Sequence, residues 1–119
     1  MKKKVKRAQI KKLPAQQQGQ NKPAPLSPAK AKDLIDSYLK DGIIELTDHC
    51  KYDSMPDRNV EMEDILNVLS TGTVQEPEWD DDYGNWQHRV TGKDLEGDKL
   101  TAVTVIIQRN ATLLIITVF

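Results

Sequence analysis

Cysteine is nearly absent from this chain. Cys50 stands alone, so no internal disulfide can form and a disulfide-built secreted scaffold is excluded. Histidine occurs only at positions 49 and 88. No pair drawn from His49, Cys50, His88 and the Asp cluster has a recognised ligand spacing, so no metal site and no cofactor is expected. Long apolar runs are missing as well. Leu113 to Ile116 is the longest, far short of the roughly 20 residues that cross a bilayer. Val5, Ile10 and Leu13 are too scattered to form the apolar centre of a secretory signal. A soluble, cytoplasmic protein with no membrane partner is the expectation.

Acidic residues are absent from positions 1–32, which hold Lys2, Lys3, Lys4, Lys6, Arg7, Lys11, Lys12, Lys22, Lys30 and Lys32, a charge of +10. The rest of the chain sets 7 basic residues against 18 acidic ones, a charge of −11. The near-neutral total hides this split, and opposed charge in two halves points to a solvated arm that meets something anionic. Residues 1–26 combine Lys, Gln, Pro and Ala with little to bury, and Pro14, Pro23, Pro25 and Pro28 oppose helix, so they read as a disordered basic arm. Four roles fit it: a solubilising tail, a nucleic-acid contact, a nuclear address and a segment that folds back on its own acidic domain. The nucleic-acid role would fall to Lys2, Lys3, Lys4, Lys6, Arg7, Lys11 and Lys12, since clustered lysines release phosphate counterions without reading sequence.

Residues 27–119 read as one small acidic α+β domain. Ser27 suits an N-cap and Pro28 a first helical position. Leu34, Ile35, Tyr38 and Leu39 follow at helical spacing, so a helix is predicted over 28–41, ended by Gly42. Ile43 to Leu46 is a short extended entry. Thr47 caps a short helix over 48–55 that Pro56 stops. A third helix covers 61–70, with Met62, Ile65, Leu66 and Leu69 on one face and Gly72 at its end. From Thr73 the period becomes two. Strands are predicted at 73–77, 86–91, 99–108 and 112–119, with an acidic loop at 78–85 and a tight turn at Arg109-Asn110-Ala111. Leu113 to Ile116 is apolar on both faces, which places the last strand centrally. Helices followed by a four-stranded antiparallel meander make the expected fold α+β.

Thr47, His49, Met55, Arg58, Val60, Asp64-Ile65, Val68-Leu69, Gly72, Arg89-Val90 with Gly92, and Ile116-Thr117-Val118 follow one another in an order that resembles a bacterial domain family of unknown function. That family is related in fold to the RelE, BrnT and MqsR ribonuclease toxins, and the resemblance covers about 43–119. Trp86-Gln87 followed by Leu100-Thr101-Ala102-Val103-Thr104-Val105 is similar to the sheet of MqsR-type toxins. The resemblance implies a RelE-like fold, a toxin-type, metal-independent endoribonuclease or an inactive relative, and a site surface that includes Gln87. The family's catalytic Lys has no counterpart, since 73–85 holds no basic residue.

A metal-independent ribonuclease must activate a 2′-hydroxyl, steady a charged phosphorane and protonate the leaving oxygen. His titrates near neutrality and Arg grips phosphate in two places. His49, Arg58, Gln87 and Arg89 are therefore the candidate catalytic set. Each also has a structural role open to it: His49 as a cap, Arg58 as a partner of Asp57 or Glu61. His88 projects opposite to Gln87 and Arg89 because strand side chains alternate. Trp79 and Trp86 read as packing residues. The −11 of the domain repels phosphate within a Debye length of about 8–10 Å. Two functions fit: an RNase acting on RNA or the ribosome, and a non-catalytic module, antitoxin- or immunity-like, that docks a protein partner while the arm tethers nucleic acid.

Overall fold

The computed structural model describes the backbone of residues 5–8 and the whole of residues 22–119. Most of the basic arm, with Lys2, Lys3, Lys4, Lys11 and Lys12, lies outside the described residues, as do the side chains of Lys6 and Arg7. Within that stretch, where sequence predicts no element, Val5–Ala8 forms strand β1.

Helix α1 spans Pro28–Asp41, and the Ser27 hydroxyl accepts from the Lys30 N–H at 3.1 Å, the expected cap. Ile35 and Tyr38 are buried, while Leu34 and Leu39 are half-buried and pack against the same core. Strand β2, Ile43–Thr47, follows directly. The next helical segment differs from expectation, because Pro56 does not stop it. Residues 50–54 form a π-helical turn, after which α2 runs over Met55–Arg58 with Pro56 in its first turn. The Met55 N–H donates to the Cys50 carbonyl five residues back. The wider turn lets the chain pass a residue that has no N–H to give. Asn59, at φ 55°, then ends the segment in the left-handed region that Asn tolerates.

Helix α3, Met62–Thr71, starts at Glu61, whose N–H donates to Asp64 Oδ2 at 2.8 Å. The other Asp64 oxygen accepts from the Leu95 N–H at 2.9 Å, tying the helix to the loop that follows the strand Asn85–Lys93. The Glu61 bond first, then the Leu95 bond, hold the Asp64 carboxyl below its ordinary pKa against a small opposing effect of burial. A folded pKa below the unfolded one stabilises the fold above the unfolded value, about 3.9 for Asp, and this is lost as pH falls through the folded pKa. Urea midpoints should therefore separate wild type from Asp64→Asn at pH 6 and converge as pH falls through the folded pKa. A gap that stays constant with pH would assign these bonds no weight in the linkage.

The remaining strands are β3 (Thr73–Val74), β4 (Glu78–Asp80), β5 (Asn85–Lys93), β6 (Lys99–Ile107) and β7 (Thr112–Val118). They lie in the order β1-β2-β7-β6-β5-β3, with β4 paired to β5 beside this path. The fold is α+β, but the sheet is not a four-stranded antiparallel meander. β2 pairs with β7 in parallel, and β1 with β2 in parallel, so the sheet is mixed. The acidic stretch predicted as a loop holds β4, which turns back on β5 with Trp79 opposite Trp86. β7 is central, as its sequence requires.

Helices α1 and α3 cover one face, over Val90, Leu100, Ala102, Leu113 and Ile115. Val103, Val105 and Ile116 cluster on the other, with Tyr83, Ile107 and Leu114 against them. The β6–β7 register shifts after Val103, so Ile116 is an extra residue between the Val103–Thr117 and Thr104–Ile115 pairs.

Candidate functional site

The β4–β5 hairpin carries an open concavity. It encloses about 450 Å³ and is lined by Glu78, Trp79, Asp80, Asp81, Asp82, Gln87 and Arg89. Antiparallel pairing sets Glu78 opposite Gln87 and Asp80 opposite Asn85. Strand alternation sends Gln87 and Arg89 to this side and His88 to the helix side, where it is 2 % exposed.

Asp80 organises the hairpin. Its Oδ1 accepts from the backbone N–H groups of Asp82 at 2.8 Å and Tyr83 at 3.2 Å, and its Oδ2 accepts from Gln87 Nε2. Burial first, then the charges of Asp80 and Asp82, push the Tyr83 hydroxyl above its ordinary pKa. Gly84, at φ 63°, closes the turn in the left-handed region that glycine enters without steric cost. Arg89 Nε stands 3.4 Å from Glu78 Oε2, an ion pair whose geometry is too loose for a hydrogen bond. The Arg89 guanidinium also faces the Phe119 ring at 5.6 Å.

The four predicted site residues are not gathered at one place by their bonds. Gln87 and Arg89 share the concavity, engaged by Asp80 and Glu78. His49 is exposed at the start of the helical segment, with Nδ1 3.3 Å from Asp53 Oδ2. Arg58 donates to the Lys99 carbonyl at the start of β6. Thr47 does cap that segment, accepting from the Cys50 N–H at 3.1 Å. Cys50 itself is fully buried, and burial, only partly offset by Ser54, pushes its thiol up to about 11, so it stays protonated and unreactive. Among the described residues no group of three or more His, Cys, Asp or Glu is placed to hold a metal ion. No helix among them is long and apolar enough to cross a membrane.

Sequence reading missed Asp80 as the hub of this site. The signal was present in Glu78-Trp79-Asp80, which alternates across a Gly-closed turn with Asn85-Trp86-Gln87.

A small α+β domain that presents an acidic concavity on a hairpin of its sheet is what the fold and site define. Residues 46–119 match the family described as Domain of unknown function (DUF4258), and the chain belongs to that family. No curated protein and no solved structure matches the chain.

Proposed function

We propose that this domain is a non-catalytic protein-interaction module, whose acidic concavity docks a basic partner while the arm tethers nucleic acid. One observation carries the reading. Gln87 and Arg89, two of the four groups that would face RNA, are engaged by Asp80 and Glu78 in a concavity that sets four carboxylates against one guanidinium. Such a surface repels phosphate and attracts lysine and arginine, and it steers a basic partner's approach.

The second reading is the toxin-type endoribonuclease of RelE or MqsR kind. It draws on the exposed His49–Asp53 pair, in which a carboxylate beside Nδ1 would orient the imidazole as a base. Arg58 would need to leave the Lys99 carbonyl, and Arg89 to leave Glu78, before either gripped a phosphate.

Anisotropy titrations of the full chain with a labelled oligolysine peptide and with single-stranded RNA test the proposal. The peptide should bind with strong salt dependence, weakened about tenfold in a Glu78→Gln/Asp82→Asn variant. Degradation of mRNA by purified protein, abolished in His49→Ala, would replace this reading with the ribonuclease.

A further inference from the structure

Residues 22–26 read Lys-Pro-Ala-Pro-Leu. Pro23 and Pro25 fix φ near −65°, and each biases the residue before it to extended backbone. The stretch is thus set for a polyproline II course before it touches anything. Ser27, which precedes Pro28, has φ −64° and ψ 158° in that same region.

This strap lies along β5 and meets an aromatic face. Trp79 and Trp86 are register partners with ring centroids 5.3 Å apart at an interplanar angle of 76°. Lys22 Nζ stands over Trp79, 5.1 Å from the ring centroid. Trp86 Nε1 donates to the Pro23 carbonyl at 2.7 Å. His88 Nε2 lies 3.0 Å from the Leu26 carbonyl. A carbonyl only accepts, so Nε2 carries the proton, and buried Nδ1 is left without a hydrogen-bond partner. Trp79 gives its own N–H to Asp81 Oδ1 at 2.7 Å, which adds negative potential to the ring that faces the ammonium. A cavity of about 110 Å³ remains between Pro23, Ala24 and Leu26 on one side and Trp86, His88 and Ile106 on the other.

These contacts read an ammonium, two carbonyls and a fixed backbone, which is the chemistry by which aromatic grooves take proline-rich peptides. They do not require that the peptide belong to this chain. Lys22, Pro23, Ala24 and Pro25 are all exposed, so they rest on the groove rather than within the core. Leu26 is half-buried and packs against the core, and it fastens the strap at one end only.

We propose that the Trp79–Trp86–His88 face is a recognition groove for a Lys-Pro-x-Pro segment of a partner protein, and that Lys22–Pro25 occupies it in cis until such a segment displaces it. The partner's ammonium sits over Trp79 and its first proline carbonyl on Trp86 Nε1. Glu78, Asp80 and Gln87 project from the other side of the hairpin, so this site shares only Trp79 with the lining of the acidic concavity.

Calorimetric titration with a capped Lys-Pro-Ala-Pro-Leu peptide tests it on the full chain. A Lys22→Ala/Pro23→Ala variant, whose tethered competitor has lost its ammonium and its proline-set backbone, should bind at least about tenfold more tightly than wild type. Adding Trp86→Phe keeps an aromatic ring and removes the donor, and should cost about fivefold in affinity. A peptide with Glu in place of Lys should bind far more weakly, a comparison that needs no change in the protein. An opened variant with an unchanged melting temperature that binds no peptide overturns the proposal. So does equal binding of a proline-free Lys-Ala-Ala-Ala-Leu peptide, a result that would leave the acidic-docking reading intact. A wild-type dimer dissolved by the peptide would replace the partner protein with strap exchange between two copies.

Discussion

Replacing Thr47 with valine should lower folding stability by about 3 kcal/mol, read as a fall in the urea midpoint at constant m-value. Valine matches threonine in shape, so the loss isolates the hydroxyl. Thr47 is fully buried, and its Oγ1 donates to the Ile116 carbonyl at 2.7 Å while accepting from the Cys50 N–H at 3.1 Å. Ile116 is the extra residue of the β7 bulge, so its carbonyl lies where the ladder pairing with β6 is broken. Valine leaves that carbonyl and the first turn of the helical segment unpaired in the interior, each at about 1–3 kcal/mol. Thr47→Ser keeps the hydroxyl and should recover at least half of the loss. Equal stability of the valine variant and wild type would show that water reaches both groups. The effect reaches beyond one strand, because Ser54 in the same π-turn hydrogen-bonds the Val118 N–H through its Oγ at 3.3 Å.

The parts of this fold that sequence made legible are those with local causes. Ser27-Pro28 and the Ile35–Tyr38 stripe fix α1, and the apolar runs Leu100 to Ile106 and Leu113 to Val118, on either side of the Arg109-Asn110-Ala111 turn, fix the β6–β7 hairpin. The parallel β2–β7 pair was not legible. Ile43–Thr47 and Thr112–Val118 are far apart in sequence, no turn joins them, and five residues of alternating burial resemble any extended entry. Pro56 misled for a similar reason. A proline argues against a regular α-helix, but the π-turn before it moves the hydrogen bond that proline would have broken.

The candidate site shows the same division. Alternation correctly separated His88 from Gln87 and Arg89, because it depends only on the strand period. What sequence could not supply was the partner of each charge. Sequence spacing offers Arg58 the acids Asp57 and Glu61 as alternatives to a site role, whereas it reaches the Lys99 carbonyl across the chain. Composition marked 78–82 as acidic, but only the hairpin register converts that run into a concavity on one side and a tryptophan face on the other. The Lys22–Trp79 and Trp86–Pro23 contacts join residues about sixty positions apart, which neither charge counting nor periodicity can connect.

Both proposed surfaces depend on where β5 lies, and Gly72 governs that position. Gly72 has φ −80° and ψ 179°, extended backbone that any residue adopts, so conformational freedom is not what the site demands. Space is. A Cβ on Gly72 would stand 2.6 Å from the Val68 carbonyl oxygen and 2.7 Å from the Thr91 carbonyl oxygen, both backbone atoms that cannot rotate aside. Gly92 completes the contact from the strand, since a Cβ there would stand 3.0 Å from the Gly72 Cα. The end of α3 thus touches β5 glycine to glycine. Gly72→Ala must separate helix and strand and should destabilise the domain by about 3 kcal/mol, with a fall of about 15 °C in melting temperature. Gly92→Ala, with one contact at the edge of tolerance, should cost about 1 kcal/mol. The order of the two is the sharper measurement: a Gly92 variant less stable than the Gly72 variant would show that the strand, not the helix end, sets the approach. Because Trp86, Gln87, His88 and Arg89 all lie on the strand that Gly72→Ala displaces, the peptide affinity of the Lys22→Ala/Pro23→Ala protein should fall with its stability when that substitution is added.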